Sequence, residues 1–274
     1  MDTSQKQLIL TGSLSRAILT LALPIMLNNL IGTLYNLGDA FWVSKIGDVE
    51  VAAINFVWPV AFLTQSIVLG ISIAGGSIIS QYIGAAKGAS AKDTAQQLYV
   101  FSILFGIISG IIGWFITPTI MELMHATGQL YENSVAYLRI LFIEMPFLFI
   151  LNIYFSINQA QGDTLTPTLV NGSSAILNII LDPLFIFTFN LGIEGAAIAT
   201  VLSKVPFAIY GIYHMNRIGN TLQLQPFNMK VQWDKFIDLI RIGIPSSIGS
   251  ASVAFGFMIM HVFLVDYGII LLPQ

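Results

Sequence analysis

Polar side chains that could exchange a cation recur at helical spacing within the long apolar runs of this sequence. In the first run, residues 17–43, four positions are spaced four, three and four residues apart: Asn28, Gly32, Tyr35 and Asp39. In the fifth run, four positions are spaced three, four and four apart: Asn171, Ser174, Asn178 and Asp182. Each set shares one helical face. An ionisable side chain inside a membrane span is costly and marks an ion or substrate pathway by default.

Two further apolar runs carry polar groups that could face these acids. The fourth run offers Tyr137, Glu144 and Asn152 along one side, and the sixth offers Thr200 and Lys204 one turn apart. Two neighbouring carboxylates can share a proton, or hold a monovalent cation with amide and hydroxyl oxygens as further ligands. Asp39 and Asp182 could instead be structural hydrogen-bonding groups. For Glu144 and Lys204, a static buried ion pair and a functional role both stay open.

The composition assigns these runs to a membrane protein. Of 274 residues, 55% are hydrophobic and only 9% are charged, whereas soluble domains average about 25% charged. The net charge of −3 gives no reason to expect a nucleic-acid partner. There is no cysteine, which excludes disulfides, a thiolate nucleophile and a cysteine-based metal site. Metal-ligand spacings and the motifs HExxH, GxSxG and the P-loop are also absent, so we expect neither an enzyme nor a resident metal or cofactor.

Runs of about 20 apolar residues, the length that crosses a bilayer, predict an all-α polytopic membrane protein with seven helices. Their approximate ranges are 17–43, 52–81, 97–118, 133–158, 165–189, 193–217 and 236–265. The polar N-terminus, 1–16, is expected to be retained and cytoplasmic. Residues 17–217 form a six-helix bundle, 218–235 a cytoplasmic linker, and 236–274 the start of a second lobe.

Basic residues predict the orientation, because Lys and Arg accumulate on the cytoplasmic side. An inward N-terminus places eight of them inside: Lys6, Arg16, Lys87, Lys92, Arg217, Lys230, Lys235 and Arg241. Only Lys45 and Arg139 then lie outside. The chain is therefore expected in the plasma (inner) membrane with a cytoplasmic N-terminus and lipid as its first partner.

With this orientation, the depths of the polar groups can be compared from helix to helix. At about 1.5 Å per residue, four side chains lie roughly 6–11 Å below the outer surface: Asp39, Tyr137, Asp182 and Thr200. A second layer holds Glu144, Asn178 and Lys204. Matched depths predict one polar pocket in the outer half of the bundle. Pro24, fifteen residues before Asp39 on the same helix, removes a backbone hydrogen bond and is the candidate hinge.

Four stretches of the sequence resemble the multidrug and toxic compound extrusion (MATE) family, in its DinF-like branch. They are LALPIMLNNLIGTLYNLGDAFWVSKIG, QYIGAAKG, QAQGDTLTPT and LNIILDPLFIF, and the resemblance extends over residues 10–268. It implies a cation-coupled antiporter, driven by H⁺ or Na⁺, that expels small organic, often cationic, compounds. Such proteins have twelve helices in two six-helix lobes.

The resemblance also implies roles for individual residues. Asp39, Asn178, Asp182 and Thr200 match the cation-coupling network of the N-lobe, which would also be the place for Na⁺. Tyr35 and Tyr137 match tyrosines that line the lobe cavity, where we also place Asn28, Asn152, Glu144 and Lys204. Pro24 matches the bending proline of helix 1.

Because the sequence predicts seven helices and the family has twelve, we expect the chain to be a truncated version of that fold. A weak internal repeat agrees, since aligning Pro24 with Pro245 also aligns Gly47 with Gly268 at an offset of 221 residues. Two alternatives to an exporter are a truncated product without transport activity and a lipid-linked oligosaccharide flippase of related architecture. A flippase would favour a strongly basic cavity, whereas the inward-facing groups here are mostly acidic or neutral.

Overall fold

The computed structural model describes residues 13–217, Leu222, Leu224 and 232–266, and in these ranges the chain forms seven long helices. They are α1 Leu14–Val43, α2 Asp48–Gly84, α3 Gly88–Leu123, α4 Gly128–Ala160, α5 Leu165–Pro183, α6 Gly192–Asn216 and α7 Trp233–Asp266. Within the described part, α1 to α6 each contain a segment long and apolar enough to cross a membrane. The predicted all-α architecture of a six-helix bundle followed by a seventh long helix is confirmed.

The helices are longer than the apolar runs predict. The third run was expected at 97–118, but α3 spans Gly88–Leu123, because hydropathy marks apolar segments and misses the polar first turns of a helix. The polar N-terminal end of α3 has a structural partner. Lys235 Nζ lies 3.5 Å from Asp93 Oδ2, and the Gln232 amide donates to Gln97 Oε1 over 3.1 Å.

These contacts fix the beginning of α7. The helix starts at Trp233, three residues before the predicted boundary and inside the range 218–235 predicted as a linker. Most of that range, like residues 1–12 of the predicted N-terminal segment and Gly268 of the predicted repeat, lies outside the described residues. Further along, α7 crosses α2 so closely that a Cβ added at Gly70 would stand 2.4 Å from the Ser247 backbone nitrogen.

Helix α5 ends in an unusual way, directly beside a candidate site residue. Pro183 follows Asp182 and has no N–H to donate, and the next five residues, Leu184–Thr188, form a π-helical turn. The amide of Phe189 donates to the carbonyl of Leu184 over 3.0 Å, five residues back. Such π turns occur often at functional sites. Glycine at Gly195 allows α6 to pack against this widened turn.

Helix α1 lies at the edge of the bundle and packs mainly on α5. One face contacts α5 closely, since a Cβ added at Gly38 would stand 3.1 Å from Ile179 Cγ1. The opposite face exposes a row of large apolar side chains: Leu19, Leu23, Met26, Leu30, Leu34, Leu37 and Phe41. Apolar groups facing outward are expected where lipid is the solvent. The polar stripe that ends at Asp39 therefore occupies the flank of α1 that is turned toward protein.

Candidate functional site: a buried polar pocket between four helices

The C-terminal halves of α1 and α5 and the N-terminal halves of α4 and α6 bring polar side chains together in one cluster, which is called the pocket below. Tyr35 on α1 donates its hydroxyl to Thr200 Oγ1 on α6 over 3.2 Å. On α6, the Ser203 hydroxyl donates to the Thr200 carbonyl over 2.8 Å. Ser174 on α5 donates to the Ser203 carbonyl over 3.0 Å. These hydrogen bonds connect α1, α5 and α6, and Thr200 accepts two of them, one through its hydroxyl and one through its carbonyl.

Asp182 and Asn178, one turn apart on α5, are both fully buried. Asn178 Nδ2 donates to Asp182 Oδ1 over 3.1 Å. The second oxygen of Asp182, the amide oxygen of Asn178 and Asp39 Oδ1 are buried without a hydrogen-bond partner. An unpaired buried acceptor costs about 1–3 kcal/mol. These three oxygens are therefore the atoms that a proton or a cation would stabilise most.

Glu144 on α4 and Lys204 on α6 form an ion pair through Oε1 and Nζ. The side chains are 5% and 20% exposed, respectively. The same ammonium lies 5.7 Å from the centroid of the Tyr35 ring, a distance at which the ring face attracts a cation. Lys204 is thus held between α4 and α1.

The two aspartates and the ion pair are electrostatic neighbours. Asp39 lies within electrostatic range of Lys204 and Glu144, and Asp182 lies within electrostatic range of Asp39. Tyr137 on α4, also buried, lies within the fields of Asp39, Glu144 and Asp182. The pocket therefore brings together three acids from three helices and one resident cation.

Three of the predicted residues lie outside this cluster. Asn152 is eight residues beyond Glu144 on α4, about 12 Å along the helix, and its Nδ2 donates to the Leu148 carbonyl of its own helix over 2.8 Å. Pro24 and Asn28 lie at the opposite end of the α1 stripe from Asp39. Asn28 Oδ1 accepts a hydrogen bond of 2.8 Å from Asn171 Nδ2 on α5, which links the two helices.

Sequence reasoning missed one residue near the candidate hinge. The hydroxyl of Thr168, in the first turn of α5, lies 3.0 Å from the Pro24 carbonyl and 2.8 Å from the Thr164 carbonyl. It contributes an interhelical contact at the proline itself. A Thr near the start of a helix is ordinary, so only the relative placement of α1 and α5 reveals this contact.

Across the described ranges, no group of three His, Cys, Asp or Glu side chains could hold a metal ion. The carboxylates of Asp39, Glu144 and Asp182 are neighbours without converging on a single point. What the arrangement offers chemically is a set of buried acceptors that can take protons or a weakly held monovalent ion.

Comparison with known proteins identifies the family. A family model described as MatE matches residues 24–184, more than half of the chain. "Probable multidrug resistance protein YoeA" of Bacillus subtilis is 29% identical over 280 aligned residues, covering 98% of this chain and 60% of that protein. "Multidrug export protein MepA" of Staphylococcus saprophyticus is 26% identical over 264 residues, covering 94% of this chain and 57% of that protein.

A solved structure of a MATE protein in the straight conformation superposes with a TM-score of 0.89 at 26% identity, covering 97% of this chain and 59% of that one. The chain thus spans somewhat under two thirds of the length of the relatives that it matches. The family model covers most of α1 and all of α2 to α5, and its match over more than half of the sequence shows that this chain belongs to the MATE family.

Proposed function

We propose that this chain supplies the N-terminal lobe of a cation-coupled antiporter that exports small organic compounds. Two curated relatives carry names that describe multidrug export or resistance, which supports the class of substrate. The observation that carries the coupling proposal is the set of three buried, unpartnered oxygens on Asp39, Asn178 and Asp182. Such a cluster in a membrane span requires compensation, which protons or a monovalent cation can supply.

In this proposal Asp39 and Asp182 exchange the coupling cation, while Asn178 and Thr200 orient them. Asn178 does so through its hydrogen bond to Asp182, and Thr200 through Tyr35, which lies one turn before Asp39. The surrounding side chains border the path of the organic, cationic substrate: Tyr35, Tyr137, Asn28, Asn152, Glu144 and Lys204. Pro24 is the hinge of α1. The motifs that suggest the DinF-like branch are the basis for this division of roles.

The proposed location is the inner membrane with the N-terminus in the cytoplasm, supported by the eight-to-two distribution of basic residues. The absence of cysteine makes this orientation easy to test. A single cysteine placed at Lys45 should react with an impermeant maleimide added outside intact cells. A cysteine at Lys87 should react only after the cells are opened.

The coupling proposal is tested by efflux of a cationic dye from cells that express the complete reading frame containing this sequence. Asp39→Asn and Asp182→Asn should each abolish efflux, because an amide neither takes a proton nor balances a cation. Asp48→Asn is the matched control, since Asp48 is an exposed acid at the start of α2. Efflux at the parental rate in either pocket variant, at equal expression, would refute the assignment.

A further inference from the structure

The ion pair of Glu144 and Lys204 places a permanent cation inside the pocket proposed to exchange one. From this geometry we propose that Lys204 determines the ion specificity of the pocket: its ammonium excludes Na⁺ and leaves protons as the exchanged ion. The inference rests on the proposed function, because it names the coupling ion of that site.

Three contacts keep the ammonium in place. Glu144 pairs with it from α4, the Tyr35 ring faces it from α1, and its own helix α6 packs against α4 and α5. Both side chains of the pair are largely buried, so leaving the pocket would strand a carboxylate in a low-dielectric site. Lys204 is therefore a fixed part of the pocket and not a transient occupant.

The ammonium also lies beside the part of α1 that carries Asp39, since it faces the ring of Tyr35, one turn before Asp39. A second cation at Asp39 would be repelled by the first, and this repulsion is large where water is excluded. A proton neutralises the carboxylate by forming a covalent O–H bond and leaves no free charge beside the ammonium.

The charge balance of the pocket agrees with protons. The ionisable groups that face it are Asp39 and Tyr35 on α1, Tyr137 and Glu144 on α4, Asp182 on α5 and Lys204 on α6. When both aspartates and both tyrosines are protonated, only the compensated pair Glu144–Lys204 stays charged. The buried pocket then reaches neutrality without a metal ion.

The oxygen atoms of the pocket favour the same conclusion. Asp39 Oδ1, Asn178 Oδ1 and Asp182 Oδ2 are unpartnered acceptors, and a protonated carboxyl group supplies the donor that such acceptors need. Thr200 Oγ1 already accepts the Tyr35 hydroxyl.

Equilibrium binding of ²²Na⁺ to the purified 274-residue chain in lipid nanodiscs tests the inference. The parent and Lys204→Arg should bind Na⁺ weakly and alike, since both keep the cation. Lys204→Gln should bind Na⁺ about tenfold or more tightly, because a unit repulsion at short range in a buried site is lost. Adding Asp39→Asn to Lys204→Gln should abolish this gain, which distinguishes binding at Asp39 from binding at the unpaired Glu144.

The possible outcomes of this experiment bear separately on the role of Lys204 and on cation coupling at the pocket. Tight Na⁺ binding by the parent that requires Asp39 overturns the inference but leaves cation coupling at the pocket intact. No gain in Lys204→Gln, or an equal gain in Lys204→Arg, also overturns the inference. A gain that survives Asp39→Asn shows that Na⁺ binds at the unpaired Glu144; it overturns the inference, and the coupling role of Asp39 is then decided by the dye-efflux test alone. If Lys204→Gln does not fold, the charge-balanced variant Lys204→Met with Glu144→Gln replaces it, with a smaller gain expected in the same direction.

Discussion

Replacing Gly106 with alanine should separate α3 from α4 directly behind the pocket. The two helices pack through Gly106 and Gly110, which have the four-residue spacing typical of close membrane-helix contacts. A Cβ added at Gly106 would stand 2.8 Å from Pro146 Cα and 3.2 Å from the Met145 carbonyl oxygen. Both obstacles are backbone atoms of α4 and cannot rotate aside. Ordinary contact begins at 3.4 Å, so the helices must move apart locally.

The expected cost follows from this overlap. Forcing one extra methyl group into a packed interface costs about 1–3 kcal/mol. Alanine also has a higher helix propensity than glycine, which stabilises the variant by up to about 1 kcal/mol. A control variant removes this second contribution from the comparison. Gly249→Ala on α7 makes the same chemical change where no atom lies within 4 Å of the added Cβ. Gly106→Ala should therefore be about 1–3 kcal/mol less stable than Gly249→Ala.

The measurement is the unfolding midpoint of the purified chain in mixed detergent micelles, with the two variants compared at equal protein and lipid concentration. Glu144 and Tyr137 belong to the helix that would shift, so the ²²Na⁺ and dye-efflux phenotypes of Gly106→Ala should also differ from those of Gly249→Ala. Equal stability of the two variants would show that α3 and α4 do not approach as closely as described.

Two further predictions concern contacts between helices. Thr168→Val removes the hydroxyl that contacts the Pro24 carbonyl, so we expect the free energy of unfolding to fall by about 0.6–1.7 kcal/mol and amide exchange in α1 around Pro24 to become faster. Thr168→Ser keeps the hydroxyl and should preserve both the stability and the exchange rate. Unchanged exchange in the valine variant would contradict the contact. Gly70→Ala places a Cβ 2.6 Å from Ser247 Cα, so α7 must move away from α2. Amide exchange should therefore accelerate in α7 and stay unchanged in α5. Equal protection of α7 in the variant and the parent would refute the close crossing.

Much of the pocket could be predicted because helical geometry fixes depth. With the orientation predicted from the basic residues, a rise of about 1.5 Å per residue placed Glu144 and Lys204 in one layer, and the structure joins them in an ion pair. The same comparison placed Asp39 in one layer with Asp182 and Thr200. Spacing along each helix, combined with antiparallel neighbours, was thus enough to predict the ion pair.

Contacts that depend on lateral packing could not be predicted in this way. Apolar runs carry no signal for which helix lies beside which, so the Thr168 contact with Pro24 has no counterpart in the sequence pattern. The π-helical turn after Asp182 depends on how α6 packs at Gly195 as well as on Pro183. The polar first turns of α3 were missed because hydropathy detects only the apolar part of a helix.

The contacts between α1 and α5 connect the candidate hinge to the acid that it is proposed to serve. Thr168 contacts the Pro24 carbonyl, Asn171 binds Asn28, and Ile179 packs at Gly38, one residue before Asp39. Both polar contacts lie toward the Pro24 end, whereas the Asp39 end is held by packing and by charge. A change of charge at Asp39 would therefore act on the part of α1 where the described residues show no direct side-chain hydrogen bond to α5. Because the interface is contiguous, we propose that such a change reaches the candidate hinge at Pro24 through ordinary packing, without a separate pathway across the lobe.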